Sequence, residues 1–300
     1  MQELNLRYFQ SVAKTGSLSA AAEDLHVAVS AVSRQITNLE QRLSIKLFNR
    51  QPRGMQLTEA GQLLQAYALR NQLEVSSVIA EMQNVMTRQQ QRITVACPDG
   101  MAWHFLPSVI SSFITQYPET RFNLHVVEST RASELVKEGE VDIALTFSLS
   151  PDIGVKVISS HNAAISALMS KEHPLAHKDV LYVKDLSHYP LTMSLNGSTM
   201  RYLFDVACSL SGIQVLPSFS CDSLGATYTM VSEHPNMIGL CSAAAVSGKT
   251  DKEGLVLKPL QEPQLSLRSL QVQVMADRHL PANIEAFLAF LEERLAAVCR

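Results

Sequence analysis

Residues 17–53 constrain this chain more than any other stretch. Two helical patterns, Leu18–Leu25 and Val29–Leu43, follow one another across a turn too short for the second helix to do anything but cross the first. That is the spacing of a helix-turn-helix. In the second pattern Val29, Val32, Ile36, Leu39 and Leu43 recur at steps of three and four, which leaves Ser30, Ser33, Arg34 and Thr37 on the outer face. A helix that reads base edges in a major groove needs such a face of small and hydrogen-bonding side chains.

Charge points the same way. The whole chain of 300 residues carries a net charge of −3, yet between Ala28 and Thr58 Arg34, Arg42, Lys46, Arg50 and Arg53 stand against Glu40 alone, a local +4. Positive charge gathered on one segment of an acidic protein is the footprint of a nucleic-acid site, although a solvated helix face produces such a run as well. Pro52 and Gly54 mark a tight turn between two short extended segments, 46–50 and 55–57. Such a hairpin is the wing of a winged helix-turn-helix, and it places Arg50 and Arg53 for phosphates or the minor groove.

The length implies two or three domains. With no apolar run near a membrane span in length, and with Glu3 and Arg7 in a terminus that has no apolar core behind it, a cytoplasmic protein is expected. Cys97, Cys208, Cys221, Cys241 and Cys299 are odd in number and contain no Cys-x-x-Cys pair. Neither a disulfide framework nor a zinc site is expected, and the thiols read as reduced and mostly buried. The nine histidines, His104, His125 and His161 among them, show no metal-ligand spacing. No cofactor motif occurs.

Ahead of the helix pair, Leu4, Tyr8, Phe9 and Val12 form the inner face of a first helix, closed near Thr15-Gly16, and Ser17 or Ser19 can cap the next. Leu6-Arg-Tyr-Phe9, Gly16-Ser-Leu18, Ala21-Ala22, Leu25-His-Val27, Ser33-Arg-Gln-Ile36, Leu39-Glu40, Leu47-Phe48, Arg50 and Leu57-Thr-Glu-Ala-Gly61 then fall in an order and spacing that resemble the LysR-type transcriptional regulators. The resemblance is dense over about the first sixty residues. One departure stands out, because Ala28 and Val29 occupy the places where that family usually has a capping Ser and a base-reading Gln. Val29 can touch a thymine methyl but cannot make bidentate hydrogen bonds, so the target sequence should differ from that of typical relatives.

A long helical pattern runs over residues 58–89, in which Leu64, Ala68, Asn71, Val75, Val78, Met82 and Val85 alternate at four and three. This is a coiled-coil seam with Asn71 as a register residue. Packing on a second copy would bury it, as the linker helix of the resembled family does; packing within its own chain is the alternative. The run of Gln and Arg at 88–92 marks a boundary. Beyond it, expected strands at 93–97, 121–127 and 141–147 alternate with helices at 103–117 and 129–137 around a turn at Pro98-Asp99-Gly100, and the alternation continues to residue 298. That pattern predicts an α/β region with a parallel, doubly wound sheet.

The resemblance implies a winged helix-turn-helix domain at 1–58, a linker helix at 59–91 and an effector-binding domain at 92–300. The last would hold two α/β subdomains like a periplasmic binding protein, 92–161 with 268–300 and 162–267. A ligand in such folds sits in the cleft outside the strand ends. The loops there nominate Asp99, Gly100, Ser129, Thr130, Asn196, Ser198, Thr199, Arg201 and Asp222 as effector residues. Pro98 and Gly100 replace hydroxyls that the family often carries, so an anion seat at that turn looks impaired. Asp99 either caps the helix that follows it or faces the cleft toward an amine or hydroxyls, with an acidic group of the ligand directed to Asn196, Ser198, Thr199 or Arg201. The partners expected are double-stranded DNA, a small-molecule effector, a second copy in a homodimer or homotetramer, and RNA polymerase if the protein activates. Two other classes stay open: a regulator switched by thiol oxidation through Cys208 and Cys221, and an enzyme with a DNA-binding N-terminus.

Overall fold

The computed structural model describes residues 4–51, 54–87, 91–150, 153–195 and 197–298. The chain forms two compact units, Met1–Arg88 and Gln89–Arg300.

The first unit begins with α1 (Leu4–Thr15), α2 (Leu18–Leu25) and α3 (Val29–Leu43). Gly16 closes α1 at φ +65°, a left-handed conformation that suits a residue without a Cβ. Ser17 then caps α2 by accepting from Ala20 N–H. Phe9, Val12, Ala21, Ala22, Val32, Ile36 and Leu39 fill the core, while Leu4, Val29 and Leu43, expected on inner faces, are exposed because the pattern outruns the packed turns at the helix ends. A hairpin of β1 (Phe48–Gln51) and β2 (Gly54–Leu57) follows. It is held to the α1–α2 turn by Met55 N–H donating to Gly16 O at 2.8 Å. A Cβ on Gly54 would strike that same carbonyl, so only glycine allows the approach.

α4 (Glu59–Thr87) ends the first unit. Its early seam positions turn inward: Leu64 packs on the winged domain's core and Ala68 is fully buried. This corrects the expected seam, because α1 already covers that stretch of α4, while Leu63 and Tyr67 on the neighbouring stripe stand exposed. Asn71 and Val75 are half-buried, and Val78 and Met82 are exposed. The side chain of Val85 lies outside the described residues.

The second unit contains two five-stranded sheets. The first has the order β4-β3-β5-β12-β6 and is built from β3 (Gln91–Cys97), β4 (Thr120–Val126), β5 (Ile143–Ser148), β6 (Val155–Asn162) and β12 (Ser269–Met275). The second has the order β11-β7-β10-β8-β9, from β7 (Ser166–Ser170), β8 (Leu191–Met193), β9 (Phe219–Ser220), β10 (Ile238–Cys241) and β11 (Leu255–Pro259). Helices α5 (Asp99–Ala102), α6 (Phe105–Gln116), α7 (Ser129–Lys137) and α12 (Ala282–Val298) accompany the first sheet; α8 (Val183–Leu186), α9 (Thr199–Leu210), α10 (Leu224–Glu233) and α11 (Ala243–Val246) belong to the segment of the second. Two sheets match the two expected subdomains, but the expected parallel pairing is corrected, because both sheets are mixed. β12 runs antiparallel to β5 and β6, and β7 antiparallel to β10 and β11.

The reason is that the chain crosses between sheets twice, after β6 and before β12, so each crossing strand enters its new sheet from the far end. Two local expectations are also revised: Pro98-Asp99-Gly100 opens α5, with Pro98 as its N-cap, and the helix expected at 103–117 breaks at His104 before α6.

Candidate functional site

In the first unit, burial of Val32, Ile36 and Leu39 fixes which side of α3 is outward. Ser30 and Arg34 are exposed, Ser33 and Thr37 half-buried, and Val29 is 44% exposed at the N-terminus of the helix. Ala28 occupies the N-cap without a side-chain bond, so the first turn of α3 has no side-chain acceptor and relies on Ala31 and Val32 N–H donating to Ala28 O. Thr37 spends its hydroxyl hydrogen on Ser33 O at 2.9 Å. Arg50 is exposed on β1, while Arg53 lies outside the described residues.

Glu40, on the other side of α3, sets the wing against this face, and its role was not foreseen. It is 8% exposed. Its Oε1 accepts from the N–H of Leu47 at 2.8 Å and of Phe48 at 3.2 Å, and Lys46 Nζ meets Oε2 at 2.8 Å. Burial pushes the carboxyl upward, but the donors from Lys46, Leu47 and Phe48 together outweigh it and hold its pKa below the ordinary range. A carboxylate inside a helix that otherwise buries aliphatic residues was the available signal.

In the second unit a cavity of about 340 Å³ lies between the two sheets, at the small end of ligand pockets. Of the expected effector residues it brings together Asp99, Gly100, Ser129 and Thr130 from the first sheet's side with Ser198, Thr199 and Asp222 from the second's. Asn196 lies outside the described residues. Arg201 does not line the cavity; its Nε donates to both carboxylate oxygens of Asp205, at 3.0 and 2.8 Å, one helical turn along α9. Arg201 instead lines an adjoining pocket with Ser198 and Thr199.

Several expected ligand groups are taken by the chain itself. Ser129 Oγ accepts from Phe147 N–H at 2.9 Å, and Asp222 Oδ1 from Leu195 N–H at 3.1 Å. Ser198 Oγ accepts from Arg201 N–H and lies 2.6 Å from Ser194 Oγ. Asp99 faces the cavity but does not cap its own helix: its Oδ2 accepts from Leu224 N–H at 2.5 Å, across the cleft at the start of α10. A carboxylate at a helix N-terminus is stabilised by the free N–H groups and the dipole. Beside it Trp103 packs on α10, its ring 4.6 Å from that of Tyr228, and a Cβ on Gly225 would come within 2.7 Å of Trp103 Nε1. Asp99 and Trp103 thus tie the two walls together at one end.

Arg268 was not anticipated at all. It sits on the second crossover, 2% exposed, and lines the cavity. Its Nε donates to Ala163 O at 3.1 Å while Ala163 N–H donates back to Arg268 O at 3.0 Å, so the two crossover segments are pinned to each other. The guanidinium lies 4.3 Å from the ring centroid of Phe147, and Nη2 has no hydrogen-bond partner. Burial lowers its pKa to about 10, which leaves a cation at neutral pH. An arginine at the edge of the expected 267–275 strand was the signal. Ser242 Oγ, also lining the cavity, is buried and unpartnered.

Burial raises the thiols of Cys97, Cys208 and Cys241 to about 12, 11 and 12. A thiol held that far above neutrality is a poor nucleophile, which removes Cys208 from the oxidation-switch reading. Cys221 lines the cavity as a free cysteine, and Cys299 lies outside the described residues. Among the described residues no group of three or more His, Cys, Asp and Glu is placed to hold a metal ion, and no helix is long and apolar enough to cross a membrane.

Comparison with known proteins follows the same division. Residues 4–62 match the bacterial regulatory helix-turn-helix protein, lysR family, and residues 87–296 match the LysR substrate binding domain. A probable nitrogen assimilation transcriptional activator from Synechococcus elongatus is 30% identical over 86% of this chain and 84% of its own. The transcriptional dual regulator GltC of Bacillus subtilis is 28% identical over 97% of this chain and 96% of its own. In fold, a full-length OxyR variant from Pseudomonas aeruginosa superposes with a TM-score of 0.61 at 18% identity, covering 97% of this chain and 95% of the other. With both matched regions in place, the chain belongs to the LysR family of bacterial transcriptional regulators, joining an N-terminal helix-turn-helix domain to an effector-binding domain of two α/β subdomains.

Proposed function

We propose that the protein acts as a homodimer, or a tetramer built from it, whose α3 helices enter adjacent major grooves of a partly palindromic duplex. Val29, Ser30, Ser33, Arg34 and Thr37 face the bases; Arg50 and Arg53 hold the backbone. The functional parts are then residues 1–58 for DNA, 59–91 for dimerisation, and 92–300 for the effector, divided as 92–161 with 268–300 and 162–267. The observation that carries this reading is the exposed Arg34 face of α3 set over the buried Val32, Ile36 and Leu39. The exposed Val78 and Met82 of α4, together with Leu63 and Tyr67, supply an apolar stripe that a second copy would cover. The effector binds in the cleft and alters DNA binding or contact with RNA polymerase in the cytoplasm.

A salt-titrated gel shift tests the assignment. Arg34→Ala should cost about 1–3 kcal/mol and relax preference at one base position, whereas Arg50→Ala should weaken all duplexes alike and reduce the salt slope by about one. Val78→Asp with Met82→Asp should give monomers by light scattering and lose about a hundredfold in duplex affinity through lost avidity. Identical behaviour of the two arginine variants, or a dimer that survives the double substitution, would overturn the corresponding part.

A further inference from the structure

The effector-binding reading leaves the chemistry of the ligand open, and Arg268 narrows it. This side chain is as deeply buried as the aliphatic core, yet no carboxylate among the described residues pairs with it; its partners are the Ala163 carbonyl and the Phe147 ring. Cys241, which acts on it electrostatically, is a protonated thiol. A buried charge without a counter-ion is costly, and an anion from outside the chain would offset that cost. Ser242 Oγ is the second unsatisfied buried group on the same cavity wall. The remaining charged residues of the wall, Asp99, Glu128 and Asp222, are all acidic.

We propose that the effector is a small molecule with one anionic head, a carboxylate or a similar oxyanion, seated on the Arg268 guanidinium and the Ser242 hydroxyl. The rest of the ligand is neutral or carries an amine toward the acidic wall. This rests on the effector-binding reading above and adds its charge class. A second negative charge would face Asp99, Glu128 and Asp222 and is disfavoured. Position matters as much as charge, because the guanidinium belongs to the residue that pins the two crossovers together. Nη2 and Ser242 Oγ are closed to solvent in this conformation, so an anion reaches them by parting the walls. Binding therefore selects a different opening of the cleft about its crossovers.

Four probes of one carbon length separate the charge classes: butyrate, 2-aminobutyrate, succinate and butylamine, each up to 50 mM at constant ionic strength. Thermal unfolding of the full chain is followed by Trp103, the sole tryptophan. Butyrate and 2-aminobutyrate should raise the midpoint, succinate less and butylamine not at all. Arg268→Gln should weaken butyrate roughly ten- to a hundredfold, the range for one charge-assisted pair. Ser242→Ala, which leaves the crossover bonds intact and keeps the test valid if Arg268→Gln does not fold, should weaken it severalfold. A shift from butylamine equal to that from butyrate, no shift from any anion, succinate binding tighter than butyrate, or unchanged butyrate affinity in Ser242→Ala each overturns the proposal. Duplex DNA binding is read on the same samples by anisotropy. DNA binding without an anion shift removes this seat and leaves the regulator; an anion shift without DNA binding does the reverse.

Discussion

Glu40 in the winged unit and Arg268 in the cleft unit are both charged and both buried, and they end differently. Glu40 accepts from two backbone N–H groups and a lysine, all within eight residues of itself. Arg268 makes one bond to a backbone carbonyl 105 residues away and leaves Nη2 unpaired. A buried charge closed by its own chain is a strut, and its worth is the set of donors it satisfies. A buried charge left open adds little stability and much binding potential, because the free energy it lacks is available to a ligand.

The largest effect that would break this contrast is on Glu40. Glu40→Ala orphans two buried N–H groups at the start of β1 and should cost about 3–5 kcal/mol. The loss should appear in far-UV circular dichroism as an early transition not shared by Trp103 fluorescence, since Trp103 lies in the second unit. An unchanged transition would mean the wing is held without Glu40, by contacts such as Met55 N–H to Gly16 O and Thr58 N–H to Leu47 O.

Acid sharpens the same point with a smaller effect. Because the folded pKa of Glu40 lies below its ordinary value of 4.5, its contribution is present above that pH and is lost as pH falls through the folded value. The winged unit should therefore lose stability between pH 7 and pH 3, measured by denaturant titration, that Glu40→Gln does not lose. Equal slopes in the two proteins would remove Glu40 as the source.

The counterpart is Arg268→Met, which keeps an unbranched stem but removes the guanidinium, its charge and its contact with the Phe147 ring. It forfeits the bond to Ala163 O but also the desolvation cost, so the net change in the second unit should stay within about 1 kcal/mol. A loss as large as that of Glu40→Ala would show Arg268 to be a strut as well. Smallest of all should be the response to mild peroxide. Cys97, Cys208 and Cys241, raised to about 12, 11 and 12, should stay unreactive to a thiol reagent at neutral pH until the chain is unfolded.

What the sequence determined by itself is the set of features decided between near neighbours. The turn between Leu25 and Val29 allows no other geometry, Ser17 and Gly16 supply the cap and the left-handed residue their helix ends require, and the spacing of Val32, Ile36 and Leu39 chooses which face of α3 is outward. The tertiary structure decided everything that depends on residues far apart in the chain. Asp99 finds its partner at Leu224, Arg201 is drawn away to Asp205, and Leu64 turns to its own domain. The mixed sheets and the Arg268 seat follow from two crossovers, each an ordinary strand pattern on paper. Periodicity reports which side of an element is apolar, whereas direction in a sheet and the partner of a buried charge are set by where the chain re-enters the fold.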